Sequence, residues 1–161
     1  MGAGGDLVTK EQFGSFELRL QWRIAGGGNS GIMFRSTEDH NSPWETGPEY
    51  QLLDDDLNPD GLNPKLAAGA NYALHPRRRD VARPAGAWND TRIVVMGDHV
   101  EHWLNGYKVV EYRLNSPEWA KMVAESKFAS MPDYGRRRVG HIVLQDHGNQ
   151  VAFRSIRIKK L

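Results

Sequence analysis

The chain has 161 residues and no cysteine, and its 21 basic and 20 acidic side chains leave a net charge of +1. The lack of cysteine excludes disulfides, thiol catalysis and cysteine-ligated metals. A nearly neutral chain does not match a general nucleic-acid-binding protein, and no apolar run is long enough to cross a bilayer. We therefore expect neither nucleic acid nor membrane as a partner, and a single domain over residues 1–161.

The first third of the chain predicts three strands. Residues Phe16–Ile24 alternate strictly between apolar and polar, which is typical of a half-buried strand. Three glycines end it, and Asn29–Arg35 predicts a second strand with Ile32 and Phe34 on one face and Met33 and Arg35 on the other. A third strand is predicted over Trp44–Asp54.

The third strand places Glu49 and Gln51 on one face, because side chains alternate along a strand. A carboxylate and an amide on one face beside Trp44 suit a sugar site, where the indole packs on C–H groups and the polar pair takes hydroxyls or moves a proton. An edge strand with a solvated polar face is the alternative.

The middle of the chain contains two long loops and a hairpin. Residues 55–70 and 75–89 are rich in loop-forming residues, with a short strand predicted over Asn71–Leu74 between them. A strand at Arg92–Met96 follows. Asn105-Gly106 between apolar-rich runs is a strong hairpin signal, since both residues tolerate positive φ.

The last third predicts one helix and two strands. Ser116-Pro117-Glu118 has the residues of a helix start, and the helix is expected to end near Lys127. Strands follow at 139–147 and 151–160. About eight strands with short links and one helix predict an all-β fold, a two-sheet antiparallel sandwich of the jelly-roll type.

Several strands carry polar side chains where apolar ones would be expected, and one sheet could present them together as an acid–base pocket. They are Arg35, Glu49, Gln51, His102, Gln145 and His147. The alternatives are ordinary: Arg35 pairs with Glu49, and either histidine is a hydrogen-bonded structural residue. Trp44 and Trp88, both in loops, are candidates for sugar stacking.

Other chemistries find little support in the sequence. The acidic run after Asp54 suggests a calcium loop but lacks EF-hand spacing. His99 and His102 point to opposite faces of one strand and would not chelate together, so no zinc site is expected. No phosphate loop, dinucleotide fingerprint or nucleophile elbow is present, and we expect no cofactor.

In their order along the chain, several segments together resemble the 3-keto-disaccharide hydrolase domain family, whose members are also described as glycosyl hydrolases. These segments are Phe16-Glu-Leu-Arg-Leu-Gln-Trp-Arg, Asn29-Ser-Gly-Ile-Met-Phe-Arg, Pro43-Trp-Glu-Thr-Gly-Pro-Glu-Tyr-Gln-Leu-Leu-Asp, Gly86-Ala-Trp-Asn, His99-Val-Glu-His-Trp-Leu-Asn-Gly, Ser116-Pro-Glu-Trp and Gly140-His-Ile-Val-Leu-Gln-Asp-His-Gly.

The resemblance implies a concanavalin-like jelly roll, a small glycoside substrate oxidised to a ketone at C3, and a periplasmic or secreted setting in bacteria. By position it nominates Glu49, His147, Arg35 and His102 as catalytic residues. The nominated substrate-binding residues are Gln51, Asn29, Trp44 and Gln145.

Members of that family usually carry further N-terminal strands before the segment with which this chain begins. Either the sequence is trimmed at its N-terminus or a sheet edge is open, and an unpaired edge strand favours association with a second copy.

Three functions remain open at this point. The first is cleavage of 3-keto-glycosides by C2 proton abstraction, elimination and hydration, with ordinary two-carboxylate hydrolysis as the rival route. The second is non-catalytic, lectin-like sugar binding. The third is an interaction domain of the laminin G type.

Overall fold

The computed structural model describes residues 4–161, which form two antiparallel sheets packed face to face. One sheet holds β1 (Leu7–Val8), β3 (Asn29–Ser36), β4 (Glu49–Leu53) and β8 (His141–Leu144), in the order β1-β8-β3-β4. The other holds β2 (Phe16–Ile24), β5 (Asn89–Met96), β6 (His99–Leu104), β7 (Tyr107–Arg113) and β9 (Val151–Lys160), in the order β7-β6-β5-β2-β9. This is the jelly-roll sandwich predicted from the sequence.

One α-helix, α1 (Pro117–Ala124), and two 3-10 helices, Pro43–Glu45 and Pro59–Leu62, lie between the strands. The Ser116 hydroxyl accepts the backbone N–H of Trp119 at 3.1 Å, which caps α1 as the sequence predicted. Within residues 4–161, no helix combines the length and apolar character needed to cross a membrane.

The core lies between the sheets and follows from the alternation of the strands. Phe16, Leu18 and Leu20 of β2 point inward and are buried, while the polar side chains between them point outward. A buried chain of hydrogen bonds also joins the sheets: Trp22 Nε1 donates to the Thr91 hydroxyl at 2.9 Å, which donates to the Tyr50 hydroxyl at 3.0 Å. These bonds satisfy polar groups that would be costly to bury alone.

The sequence located some elements better than others. The bounds of β2 and the β6–β7 hairpin are confirmed. The third strand begins only at Glu49, because Gly47-Pro48 turns the chain and Trp44 lies in a 3-10 helix. Residues Asn71–Leu74 form a turn with isolated bridges instead of a strand, and β8 ends at Leu144. The helix ends at Ala124, short of Lys127, and β1 was not predicted.

An apolar groove of about 220 Å³ runs between the outer strands β1 and β9. Its walls include Val8, Leu20, Ile156 and Ile158, and Ile156 is 54% exposed. The groove lies where the sheets end side by side. Association of two copies through this edge stays a prediction.

Candidate functional site

A cleft of about 490 Å³ opens on the outer face of the four-stranded sheet, away from the core. The sheet supplies its floor, and loop segments supply its walls. The lining residues are Asn29, Trp44, Glu49, Gln51, Tyr72, Lys127, Phe128, Met131, Gln145 and His147. Six of the eight residues nominated from the sequence are therefore together in one place.

Gly31 lets the Glu49 side chain lie across the middle of the sheet. Gly31 sits on β3 opposite Gln51 of β4, two residues along from the position opposite Glu49. A methyl group on Gly31 would fall 2.7 Å from Cδ of Glu49 and 2.9 Å from Cγ, and closer still to Oε1. The Glu49 carboxyl therefore occupies the space that a side chain at this position would fill, and it leans toward β8.

The carboxyl of Glu49 is shielded from solvent, and the residue is only 7% exposed. Burial raises its pKa to about 8, and the negative charge of Asp6 adds to the rise, while the nearby Lys127 ammonium acts in the opposite direction. At neutral pH the free protein thus holds most of Glu49 in the protonated form.

Two glutamines in the cleft have buried amide atoms that no residue of the described chain satisfies. They are Nε2 and Oε1 of Gln51 and Oε1 of Gln145. The backbone of Gln145 is fixed, because its N–H donates to the Gly31 carbonyl at 2.9 Å and its carbonyl accepts the Ser30 hydroxyl at 2.8 Å. Buried polar atoms are nearly always paired in native proteins, so these amides are suited to hydrogen-bond a polar ligand.

A cation stands over the Glu49 end of the cleft. Lys127 Nζ lies 3.4 Å from the Tyr72 hydroxyl and 4.6 Å from the centre of the Tyr72 ring. Tyr72 in turn is tied to the sheet, because its N–H donates to the Glu49 carbonyl at 3.0 Å. The segment around Tyr72 therefore runs along the edge of β4 and brings a phenol and an ammonium to the cleft that Glu49 lines.

A stack of aromatic rings holds the wall that carries Lys127. The ring centres of Phe128 and Tyr134 lie 4.0 Å apart, those of Tyr134 and Trp119 5.9 Å, and those of Trp119 and Tyr112 5.5 Å, all nearly parallel. Tyr112 belongs to β7 of the other sheet. The stack thus fixes the residues after α1 against the sandwich, and only its last ring, Phe128, reaches the cleft.

The opposite end of the cleft is more open. His147 is exposed there beside Asn29, whose N–H donates to Oδ1 of Asn149 at 3.1 Å. Trp44, 41% exposed, offers an apolar ring at the rim. Glu49 and His147 both line this cleft, with the buried carboxyl on the floor and the exposed imidazole at its open end.

Arg35, nominated as catalytic, does not reach the cleft. It has a left-handed φ of 54° at an irregularity in the pairing of β3 with β8, which breaks the alternation on which its predicted orientation rested. Its guanidinium donates to the carbonyls of Gly14 at 2.9 Å and Gly97 at 2.6 Å. It does not pair with Glu49 either, and it ties loops together at one end of the sandwich.

His102, also nominated as catalytic, is a core residue of the other sheet. Its strand, β6, turns His102 inward, where it is fully buried. Its Nδ1 lies 3.0 Å from the Gly69 carbonyl and its Nε2 3.4 Å from the Tyr112 hydroxyl, and burial lowers its pKa to about 3. The structural alternative considered for this histidine is the one the structure shows.

Sequence reasoning missed the residues that wall the cleft, namely Tyr72, Lys127, Phe128 and Met131. A weak signal existed for Lys127 and Phe128, since a cation and an aromatic ring directly follow the one helix. For Tyr72 the signal was obscured by the prediction of a strand at Asn71–Leu74.

One group of ligand-type side chains lies elsewhere in the described chain, on the outer face of the five-stranded sheet. Ligand atoms of His99, Glu101 and Glu111 all lie within 4.8 Å of one another, a convergence that the sequence did not indicate. Lys108 Nζ, however, already lies 3.2 Å from Glu101 and 2.8 Å from Glu111. These side chains form an ion-pair network around that ammonium.

A cleft with convergent polar and aromatic side chains has the features of a ligand-binding site, and jelly-roll sandwiches are found among lectin domains. The profile of the 3-keto-alpha-glucoside-1,2-lyase-like domain family matches residues 1–159, and the chain belongs to this family. The resemblance seen in the sequence is thereby confirmed.

Similar proteins agree with this assignment. A 3-keto-disaccharide hydrolase of Bacteroides thetaiotaomicron is 35% identical over 184 residues, which cover 99% of this chain and 63% of that protein. The chain thus spans less than two thirds of that relative. A crystal structure from Parabacteroides distasonis, provisionally named a glycosyl hydrolase, is 34% identical with a TM-score of 0.91 over 97% of this chain and 76% of that one.

A carbohydrate-binding module of Bacillus subtilis aligns with a TM-score of 0.60 at 13% identity, over 97% of this chain and 83% of that one. At that identity the likeness shows the fold alone.

Proposed function

We propose that this protein cleaves the glycosidic bond of glycosides carrying a ketone at C3, in the cleft of the four-stranded sheet. Family membership and the name of the Bacteroides relative support the substrate class. The observation that carries the proposal is the buried carboxyl of Glu49 in one cleft with a cation and with unpaired amide atoms of Gln51 and Gln145, and burial raises the pKa of that carboxyl to about 8. The periplasmic or secreted setting implied by the family belongs to the same proposal.

The ketone makes an elimination route accessible. It acidifies the hydrogen on C2, and the glycosidic oxygen on C1 is then β to the carbonyl. Removal of the C2 proton gives an enolate with its negative charge on the C3 oxygen. The enolate electrons form a C1–C2 double bond as the C1–O bond breaks, and the departing oxygen takes a proton. Such a sequence needs a base, an acid and an oxyanion stabiliser.

Glu49 fits the acid. A carboxyl with a pKa of about 8 is protonated at neutral pH and can donate to the departing glycosidic oxygen, as a raised-pKa carboxyl does in many glycosidases. His147, exposed at the other end of the same cleft, supplies the imidazole that takes the C2 proton.

Lys127 is suited to stabilise the oxyanion on C3. Arg35 and His102 do not line the cleft and cannot take this role. Lys127 is the one lysine or arginine among the described residues that line the cleft, and its ammonium lies 4.6 Å from the centre of the Tyr72 ring. Gln51 and Gln145 would hydrogen-bond sugar hydroxyls through their free amide atoms. Trp44, 41% exposed at the rim, offers a ring face for the C–H surface of a sugar.

The fate of the unsaturated product decides between hydrolysis and a lyase reaction. Addition of water across C1 and C2 gives a free 3-keto sugar and completes hydrolysis. Release of the unsaturated ketone without water completes a lyase reaction. Both routes share the step at Glu49.

A direct test uses one disaccharide in two forms, unoxidised and oxidised at C3. Wild-type protein should release sugar from the oxidised form only, and Glu49→Gln should lower kcat by about 10²-fold or more with a small change in KM. Mass spectrometry of the products in H₂¹⁸O separates hydrolysis, which adds a labelled oxygen, from a lyase reaction, which adds none. Cleavage of both forms at equal rates points to ordinary hydrolysis, and binding without turnover of either form points to a lectin-like module.

The pH profile tests the assignment of acid and base. If Glu49 is the acid, kcat/KM falls as the pH rises through about 8, because the carboxyl loses the proton that it must donate. A rate that instead rises toward a plateau above that pH would make Glu49 the base and reverse the roles of Glu49 and His147.

A further inference from the structure

The outer face of the five-stranded sheet carries a row of arginines directly across its strands. The register sets Arg157 of β9 opposite Arg19 of β2, Arg19 opposite Arg92 of β5, and Arg92 opposite Trp103 of β6. All four residues border a depression of about 480 Å³. The depression and the cleft lie on different sheets, so they are separate features of the surface.

Electrostatic repulsion between these arginines destabilises the sheet, since like charges on neighbouring strands weaken the strand pairing. Glu17 relieves part of it, because its carboxylate accepts Arg19 Nε at 2.6 Å and Arg92 Nε at 2.9 Å. Arg157 has no carboxylate partner in the described chain. The row therefore holds more positive charge than the sheet neutralises.

A bulge in β9 brings a further arginine to this face. Arg157 pairs with Arg19, but Arg154 pairs with Gln21, so three steps on β9 match two steps on β2. Ser155 within this step has a left-handed φ of 53°. In a regular strand, residues three apart point to opposite faces, so without the bulge Arg154 and Arg157 would be separated.

Aromatic rings hold several of these guanidinium groups in place. Trp88 contacts Arg154 at 4.0 Å and Arg23 at 5.0 Å from its ring centre, and Arg92 lies 4.9 Å from the Trp103 ring centre. Fixed guanidinium groups lose less entropy when they bind an anion. The covered ring faces are at the same time less available for stacking on a sugar or a base.

Counted over all five strands of the sheet, the outer face is basic. Its cations are Arg19, Arg23, Arg92, Lys108, Arg113, Arg154, Arg157 and Lys159, and its carboxylates are Glu17, Asp90, Glu101 and Glu111. Asp90 is already engaged, accepting Gln21 Nε2 at 2.6 Å and lying 3.3 Å from Arg83. A chain whose net charge is only +1 thus concentrates cations on one sheet face.

We propose that this face binds an acidic polysaccharide through its carboxylate or sulfate groups. Adjacent strands lie about 4.8 Å apart, so the row offers three guanidinium groups over about 10 Å, which suits an extended chain with repeated anions. The choice of a glycan over another polyanion rests on the proposed function, while the anion site itself does not. Nucleic acid is disfavoured because the aromatic rings that would stack bases are covered.

Binding is measured with full-length protein by affinity electrophoresis and titration calorimetry, using dextran sulfate, polygalacturonate and uncharged dextran. Single-stranded DNA serves as a polyanion that is not a glycan. We expect binding to at least one acidic glycan, none to dextran, and affinity that falls as NaCl rises from about 50 to about 200 mM. The two acidic glycans separate sulfate from carboxylate recognition.

The double variant Arg19→Gln/Arg157→Gln should weaken that binding by about tenfold or more while cleavage of the 3-keto disaccharide stays unchanged. The double variant Arg78→Gln/Arg136→Gln, which removes two exposed arginines elsewhere on the chain, is the control matched for charge. No binding of either acidic glycan, an equal loss in the control, or DNA binding as tight as glycan binding each overturns the proposal. None of these results bears on turnover in the cleft.

Discussion

Replacement of Gly31 by alanine should disable the cleft while leaving the sandwich intact. The added methyl group would lie 2.7 Å from Cδ of Glu49. Carbon atoms in contact stay about 3.5–4.0 Å apart, so the carboxyl must move by about 1 Å. Since a misplacement of about 1 Å can lower the rate about 10²-fold, we expect a loss of that size in kcat/KM, or about 3 kcal/mol of transition-state stabilisation.

The same substitution should not harm folding. The clashing atoms belong to a flexible side chain, and Gly31 does not have the positive φ that would strain an alanine. Alanine in a strand also loses less chain entropy on folding than glycine does. The melting temperature of Gly31→Ala should therefore equal or exceed that of wild type, and Gly4→Ala, whose methyl group meets only an ordinary contact, is the control.

A double-mutant cycle shows whether the loss passes through Glu49. If the methyl group acts by displacing the carboxyl, Gly31→Ala should add little to the defect of Glu49→Gln. The displaced carboxyl should also be better solvated, so its pKa falls from about 8 and the high-pH limb of kcat/KM moves to lower pH. Wild-type kcat/KM in Gly31→Ala, or a full additional loss on top of Glu49→Gln, would refute the reasoning.

Three further outcomes are expected. Lys127→Met should lower kcat by about 10²-fold, and it should raise the pKa of Glu49, because the ammonium of the wild-type protein favours the carboxylate. The high-pH limb of the pH–rate profile should therefore move to higher pH, and an unchanged limb would contradict this. In urea unfolding, Glu49→Gln should raise the free energy of unfolding at pH 9 but hardly at pH 4, because a carboxyl with a raised folded pKa of about 8 destabilises the folded protein as the pH rises from its pKa in the unfolded chain to about 8. An equal increase in the free energy of unfolding at both pH values would contradict the argument from burial. Because His102 has a folded pKa of about 3, the free energy of unfolding should fall by up to several kcal/mol as the pH drops below about 6.5, where the histidine of the unfolded chain takes up a proton. In acid unfolding, His102→Gln should make the free energy of unfolding depend less on pH.

The parts of this fold that follow a local rule could be predicted from the sequence. Strict alternation gave β2, and Asn105-Gly106 gave the hairpin, because both features depend on neighbouring residues alone. The shared face of Glu49 and Gln51 followed in the same way from their spacing on one strand.

The parts that depend on the whole fold could not be predicted. Alternation shows that His102 and Trp103 face opposite sides of β6, but not which side is the core. For Arg35 the rule itself fails, since a left-handed residue breaks the alternation, and an arginine gives no sign of this. Lys127 reaches the cleft only through packing between distant segments, which a single sequence does not reveal.

One wall of the cleft is held to the sandwich mainly by the stacked rings from Tyr112 to Phe128, so it should be less stable to heat than the sheets. Lys127 lies on a short segment after α1 that is held to the sandwich by stacked aromatic rings. Glu49, in contrast, lies on a strand that is hydrogen-bonded into the sheet. On warming, such a segment detaches before sheets do. Activity should then be lost several degrees below the unfolding temperature and return on cooling. Tighter packing of Phe128 would reduce the difference between these two temperatures.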